Sequence, residues 1–304
     1  MAPKRGRGAR GSASLPEIFA VWLLFLADGI AIFATYWRIP PHETYHVSLS
    51  GFDGAASRVV VFLCFPTALA AIAILGLIYE RLPVRWPALV AVALCATVAW
   101  PGVVDEADLD VKWVNAFPAA GVLIVLVLSF FARAAGPRPA PSRAGDLARL
   151  AVGGLTILAA APYISAELGF FLDRVPVLGS IFITGKVAPE PDGHLAHAVH
   201  HGHHHGMDGL LLTLTALILS RALGAVRSSR LRAVVGAYLA LMLVYGLTNM
   251  VNDLWGEQIV KRGWSDWEVP SVLHPTASLA WAAMLVAAAV FYVAFFSARR
   301  LRRA

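Results

Sequence analysis

Charge is what this chain has least of: Asp, Glu, Lys and Arg make up 14% of its 304 residues, against 58% hydrophobic residues. A soluble domain carries roughly 25% charged residues, so a water-exposed globule is excluded and the bilayer becomes the solvent to reason in. Cysteine is almost absent too. The two that occur, Cys64 and Cys95, both fall inside apolar runs. That excludes a disulfide framework and leaves them as small buried hydrophobes or as soft metal ligands at mid-membrane depth. No nucleic-acid-binding motif accompanies the net charge of +6, which has to be read by position along the chain.

Long apolar runs are plentiful. Residues 1–14 form a basic tail, with Lys4, Arg5, Arg7 and Arg10 among Gly and Ser; it has nothing to bury and is expected to stay disordered in the cytoplasm. Eight apolar stretches follow, at 15–37, 58–80, 86–104, 114–134, 147–171, 207–226, 231–254 and 275–298. Each is about long enough to cross a ~30 Å hydrocarbon layer. The first is too long for a signal-peptide core, so it is read as a retained helix. In lipid, helices satisfy every backbone polar group within their own segment. The expected fold is therefore an all-α integral membrane protein of eight transmembrane helices.

Basic residues orient it. With the N-terminus in the cytoplasm, seven of the 25 Lys and Arg residues lie outside, namely Arg38, Arg58, Lys112, Arg174, Lys186, Lys261 and Arg262. The rest lie inside, as do both termini, in the pattern of a multi-pass cytoplasmic-type membrane. All ten histidines then fall on the extracytoplasmic side. So do Trp37, Trp100, Trp113, Trp255, Trp264 and Trp267, where indoles suit the headgroup zone.

Seven of the ten histidines crowd into 194–208, HLAHAVHHGHHHGMD. Part of this segment repeats an earlier one: His42-x3-His46-x4-Gly51-Phe52-Asp53-Gly54 recurs without a gap as His197-x3-His201-x4-Gly206-Met207-Asp208-Gly209, 155 residues later. Both copies precede an even-numbered span. Weaker echoes are Phe117-Pro118 with His274-Pro275, and Phe130-Phe131 with Phe295-Phe296. The expected organisation is a tandem 4+4 parallel repeat, since halves with an even number of spans keep one orientation. Residues 15–135 form the first half, 136–146 a cytoplasmic linker and 147–304 the second half.

Imidazoles at i and i+4 of a helix share one face and can hold one ion. The expected metal ligands are His42, His46 and Asp53 from the first copy, and His194, His197, His200, His201, His204, His205 and Asp208 from the second, with His274 at the eighth span. Imidazole with a carboxylate suits one or two ions of Zn, Cu or Fe. A His-rich loop that buffers metal or protons without a defined site is the plainer reading. His42-Glu43-Thr44-Tyr45-His46 matches HExxH and so resembles the zincin metalloprotease signature; that resemblance implies a zinc held by His42 and His46 with Glu43 as general base. His197 to His201 with the HxxxH pairs is similar to the histidine boxes of membrane desaturases and hydroxylases, a family whose boxes face the cytoplasm.

Polar residues inside the spans add to the candidates. Asp28 lies roughly 13 Å below the outer boundary at helical rise, where a carboxylate pairs or lines a wet cavity; with Glu43 it is the expected acid-base residue. Tyr245, Asn249, Asn252 and Asp253 form a polar face in the seventh span, with Glu167 near their level. Their plainer role is interhelical hydrogen bonding. The inner half is dominated by Leu, Val, Ala and Ile, apart from Thr213 and Thr215. That asymmetry favours an enzyme site over a conduit. The sequence therefore points to a metal-dependent membrane enzyme, oxidative or hydrolytic, acting on a membrane-borne substrate at the outer leaflet. Metal capture, sensing or transport is the alternative, and an HExxH protease a second. Partners are the lipid bilayer and the metal ion, without nucleic acid; the oligomeric state is open.

Overall fold

The computed structural model describes residues 15–39, 48–105, 108–132, 145–169, 175–177, 186–189, 195–198 and 205–296. All eight apolar stretches carry helix. In chain order these are α1 (Pro16–Tyr36), α2 (Gly51–Ile78), α3 (Trp86–Ala96), α4 (Ala116–Phe131), α5 (Asp146–Ala159), α6 (Ala161–Leu168), α7 (His205–Ser220), α8 (Ser229–Trp255) and α9 (Leu279–Phe291). With their 3-10 or π extensions, five are long and apolar enough to cross a membrane: Pro16–Tyr36, Gly51–Arg81, Trp113–Phe131, Ser229–Val260 and Leu279–Phe296. The bent pair α5 and α6 makes a sixth if counted as one span, whereas Trp86–Ala99 and His205–Ser220 are shorter apolar helices.

The exposed faces are apolar: Leu23, Leu26 and Ile30 of α1, Leu123 and Val127 of α4, Leu150 and Leu158 of α5, and Val286 and Val290 of α9 all point outward. In water such faces would aggregate; in lipid they are the solvated surface. Several long apolar helices with apolar outer faces make this a membrane-embedded helical bundle.

Contacts between helix ends sort the bundle into two ends. At one, called lower here, Phe19 of α1 meets Phe130 of α4 with ring centroids 5.4 Å apart. There Glu80, just after α2, accepts hydrogen bonds from the backbone of Arg227 and Ser228 at 2.7 and 2.8 Å, and Arg149 of α5 donates to Ser220 of α7 at 2.8 Å. At the upper end Asp110 accepts from the backbone of Ser48 and Leu49, and Asp253 accepts from Gly206 N at 2.7 Å. Exposed Trp37, Trp100, Trp113, Trp264 and Trp267 all gather at this upper end, in the arrangement of an interfacial aromatic belt.

Three local features depart from the sequence expectation. The fifth apolar stretch is not one straight helix but α5 and α6, bent by 62° at Ala160. Pro162 at the start of α6 explains the break, because it has no N–H for the α5 ladder and its ring crowds the preceding turn. The upper end also carries a small antiparallel hairpin, β1 (Val187–Pro189) with β2 (Leu195–His197), pairing Val187 with His197. His197 is thus an exposed strand residue, so the helical i, i+4 stripe expected to run from it does not begin there; the ladder to 187–189, extended by Ala198 N donating to Lys186 O at 2.9 Å, claims that backbone instead. Finally, Arg58 lies two turns inside α2 and is buried, although the sequence places it at the outer boundary.

The two Gly-x-Asp-Gly copies both open helices, α2 and α7. Those helices have 28 and 16 residues, while the helices that follow, α3 and α8, have 11 and 27. α7 and α8 cross with their backbones in contact. A Cβ on Gly209 would lie 2.5 Å from Gly246 O and 2.8 Å from Met250 N, and one on Gly246 would lie 2.8 Å from Gly209 O. Small residues permit this approach, as in other membrane helix pairs.

Candidate functional site

Burial of polar groups inside a membrane bundle is expensive, so where it occurs locates the site. Asp28 of α1, Glu167 and Tyr163 of α6, Asp208 of α7, Asn249 of α8 and Glu257 just beyond α8 are all buried. They occupy the upper half of the interior, on helices that pack together, while Glu17, also buried, lies at the lower end of α1.

Adjacent contacts fix their levels. Gly29, next to Asp28, packs on Leu63 of α2, its would-be Cβ 3.2 Å from Leu63 Cδ1. The following residue, Cys64, feels the charge of Asp208, so α1, α2 and α7 bring Asp28, Cys64 and Asp208 to one level. Cys64 Sγ accepts a weak hydrogen bond from Asn115 Nδ2 at 3.9 Å, and the same amide donates to Val103 O at 2.7 Å. Above this layer, Tyr163 lies edge-on to Gly206, whose would-be Cβ falls 2.6 Å from Tyr163 Cδ2 and 2.8 Å from Asp253 Oδ2. Only a glycine fits between that ring and that carboxylate. Asp253 thereby holds the first turn of α7 through the Gly206 N–H, satisfying one of the donors a helix start leaves open.

The first turn of α7 presents His205, half-buried, and Asp208, buried, three residues apart. Residues at i and i+3 share a face, so this turn aims an imidazole and a carboxylate the same way. Of the expected ligands His197 and His205, the first lies in β2 and the second opens α7; Gly202 and Gly206 in the sequence are the signal that helix begins late. Asp53, the counterpart of Asp208, stands exposed in the first turn of α2. His274 is exposed, and its carbonyl accepts from Trp281 Nε1 at 2.6 Å. His42, Glu43, His46, His194, His200, His201 and His204 lie outside the described residues. Among the described residues no group of three or more His, Cys, Asp or Glu is placed to hold one ion. The described donors that share a face here are one imidazole, His205, and one carboxylate, Asp208.

The polar face of α8 divides its work. Tyr245 donates to Leu273 O at 2.9 Å and Asn252 Nδ2 to Val269 O at 2.5 Å, so these two strap the segment before α9 onto the bundle. Asn249 and Asp253 turn toward α7. Glu257 pairs with Lys261 at 2.6 Å.

A separate clamp closes the α1–α2 side. Arg58 donates to Leu49 O at 3.1 Å and stacks 5.4 Å from the Tyr36 ring centroid. Asp110 accepts from Ser48 N at 2.8 Å, from the Ser48 hydroxyl and from Leu49 N at 3.4 Å. Partial burial pushes the Asp110 carboxyl up, but these hydrogen bonds and the Arg58 charge outweigh it and hold the group below its ordinary value. Lys112 is raised, first by its hydrogen bond to Asp105 at 2.7 Å and also by Asp108. No family model matches the chain, and no curated protein or solved structure does either.

Proposed function

We propose that this membrane bundle holds one or two transition-metal ions, Zn, Cu or Fe, at its upper end, and that this end is extracytoplasmic. The observation carrying the proposal is the concentration of buried acid toward the upper end: Asp28, Glu167 and Asp208 lie buried there together with the Lys261-paired Glu257, against Glu17 at the lower end, in a bundle whose wall is apolar. A buried carboxylate is stabilised by a nearby cation or a proton, as Lys261 does for Glu257. In the sequence the histidine segment 194–204 runs directly into α7, and the proposed site draws its further imidazoles from that segment. The first HxxxH copy leads equally into α2, and in the proposed eight-span tandem arrangement both arrive at the same face.

An ion held there supplies Lewis-acid or redox chemistry. The chain's own part is to fix and shield it. Asp253 anchors the turn that carries His205 and Asp208, Tyr163 and the 269–273 strap exclude water, and Asp28 is placed below to accept or return a proton. Glu43 is proposed as the base nearest the first histidine pair. The function supported best is a metal-dependent membrane enzyme, oxidative or hydrolytic, for a substrate reaching the outer leaflet.

One observation favours a second reading, a metal carrier. The 62° break between α5 and α6 is of the kind that marks ion and substrate sites in transporters. Below Asp208, the Thr213 and Thr215 hydroxyls are buried and make no hydrogen bond among the described residues. Elemental analysis of the purified full chain tests the metal site: stoichiometric metal is expected, reduced in the His42/His46 and His205/Asp208 double variants. Metal at background level in the parent protein sinks the proposal. Metal uptake into proteoliposomes that depends on Asp28 would decide for the carrier.

A further inference from the structure

Away from the acidic cluster, the lower half of the bundle contains an apolar groove of about 270 Å³ between α2, α3 and α8. Ala73 and Gly76 form part of its floor, and Leu89, Val92 and Val234 its open walls. Gly76 keeps it deep on one side, because a Cβ there would lie 2.5 Å from Val235 Cγ2. The walls carry no charge, and the groove runs down to Tyr79 and Leu231 at the lower boundary.

The mouth is a different environment. Arg85 is exposed and stacks its guanidinium 5.3 Å from the Tyr79 ring centroid. Arg230 is exposed immediately before Leu231, which lines the groove. Two exposed guanidiniums thus stand beside lining residues at the mouth, and the nearby Glu80 accepts from the Arg227 and Ser228 backbone. Exposed guanidiniums beside an apolar slot favour an anion at its mouth. An apolar slot ending in two arginines has the two-part chemistry of one ligand class.

We propose that this groove binds an anionic phospholipid, one acyl chain lying against α2, α3 and α8 and the phosphate held by Arg85 and Arg230. Basic pockets between helices recognise lipid headgroups in this way, and guanidinium forks match phosphate oxygens. The site is independent of the metal proposal and stands or falls without it.

Native mass spectrometry of the full chain, released from nanodiscs of phosphatidylglycerol and phosphatidylcholine in equal amounts, tests it. The parent protein is expected to retain phosphatidylglycerol roughly tenfold over phosphatidylcholine. The double variant Arg85→Gln/Arg230→Gln keeps the groove and should lose the headgroup preference while still retaining lipid. Val234→Trp changes an exposed wall position and should reduce retention of both lipids, with the arginines intact. Equal retention of the two lipids by the parent, or a preference unchanged in the arginine variant, overturns the proposal. So does phosphatidylglycerol retention that is abolished by added inorganic phosphate but undiminished in Val234→Trp, which would assign the arginines to a free anion.

Discussion

Asp53 and Asp208 hold the same place in two copies of one motif, yet one stands in the open and the other is buried against α2 and α8. Nothing in the five shared residues distinguishes them. The difference comes from what the following helix packs on, which is a tertiary property. At this scale the metal proposal makes a sharp prediction: Asp208→Asn keeps shape and helix start but should lower metal affinity about a hundredfold, the upper range for even outer partners of a metal, while Asp53→Asn does less. Isothermal titration of metal into stripped protein measures both, and equal effects would contradict the placement of the site on α7. Asp110 makes a second prediction. Its native carboxyl sits below the unfolded value of about 3.9, so the stability it contributes, about 1 to 2 kcal/mol, is fully present above that value and lost as pH falls through the native one. Thermal unfolding of the parent and Asp110→Asn should differ near neutrality and converge in acid.

Among elements, the helices were the legible part. Runs of apolar residues long enough for the bilayer carry their own evidence, because in lipid the alternative conformations leave backbone groups unsatisfied. The break at Ala160 had a visible cause in Pro162, but its angle depends on α6 docking between α1 and α7. The strand at His197 was hidden behind a helical histidine spacing, since the partner that captures it, 187–189, has no alternating pattern to announce it. The α7–α8 crossing yields a prediction at the same scale. Gly209→Ala inserts a methyl where Gly246 O stands 2.5 Å away, and overpacking of this kind costs about 1 to 3 kcal/mol. Gly154→Ala, on an α5 position with nothing within 4 Å, should be neutral or stabilise slightly. Unfolding temperatures of the two variants in one detergent are expected to move in opposite directions or one only.

For the whole molecule, the charge distribution argued a direction across the membrane, and the structure supplies positions at which to measure it. Cys64 and Cys95 are both buried, so a cysteine added at a surface site can be labelled over a silent background. Ala277→Cys, exposed at the upper end, should react with an impermeant thiol reagent from outside intact cells; Ser229→Cys, exposed at the lower end, should react only after permeabilisation. The reverse pattern would put the histidines in the cytoplasm and remove the extracytoplasmic reading. The site itself was legible as a concentration of histidine and acid at one boundary. Its depth was not, because burial of Glu167, Asn249 and Glu257 is decided by which helices meet.

The glycine contact between α7 and α8 carries a mechanical consequence. With carbonyl against glycine there is no side chain left to change rotamer, so the two helices have no compliant layer between them and must travel as one body. His205, Asp208, Asp253 and Glu257 therefore keep a fixed spacing through any cycle. The 62° joint at Ala160 sets where α6 carries Tyr163 and Glu167, so a change of that angle would shift these two side chains against the paired helices while α7 and α8 keep their spacing.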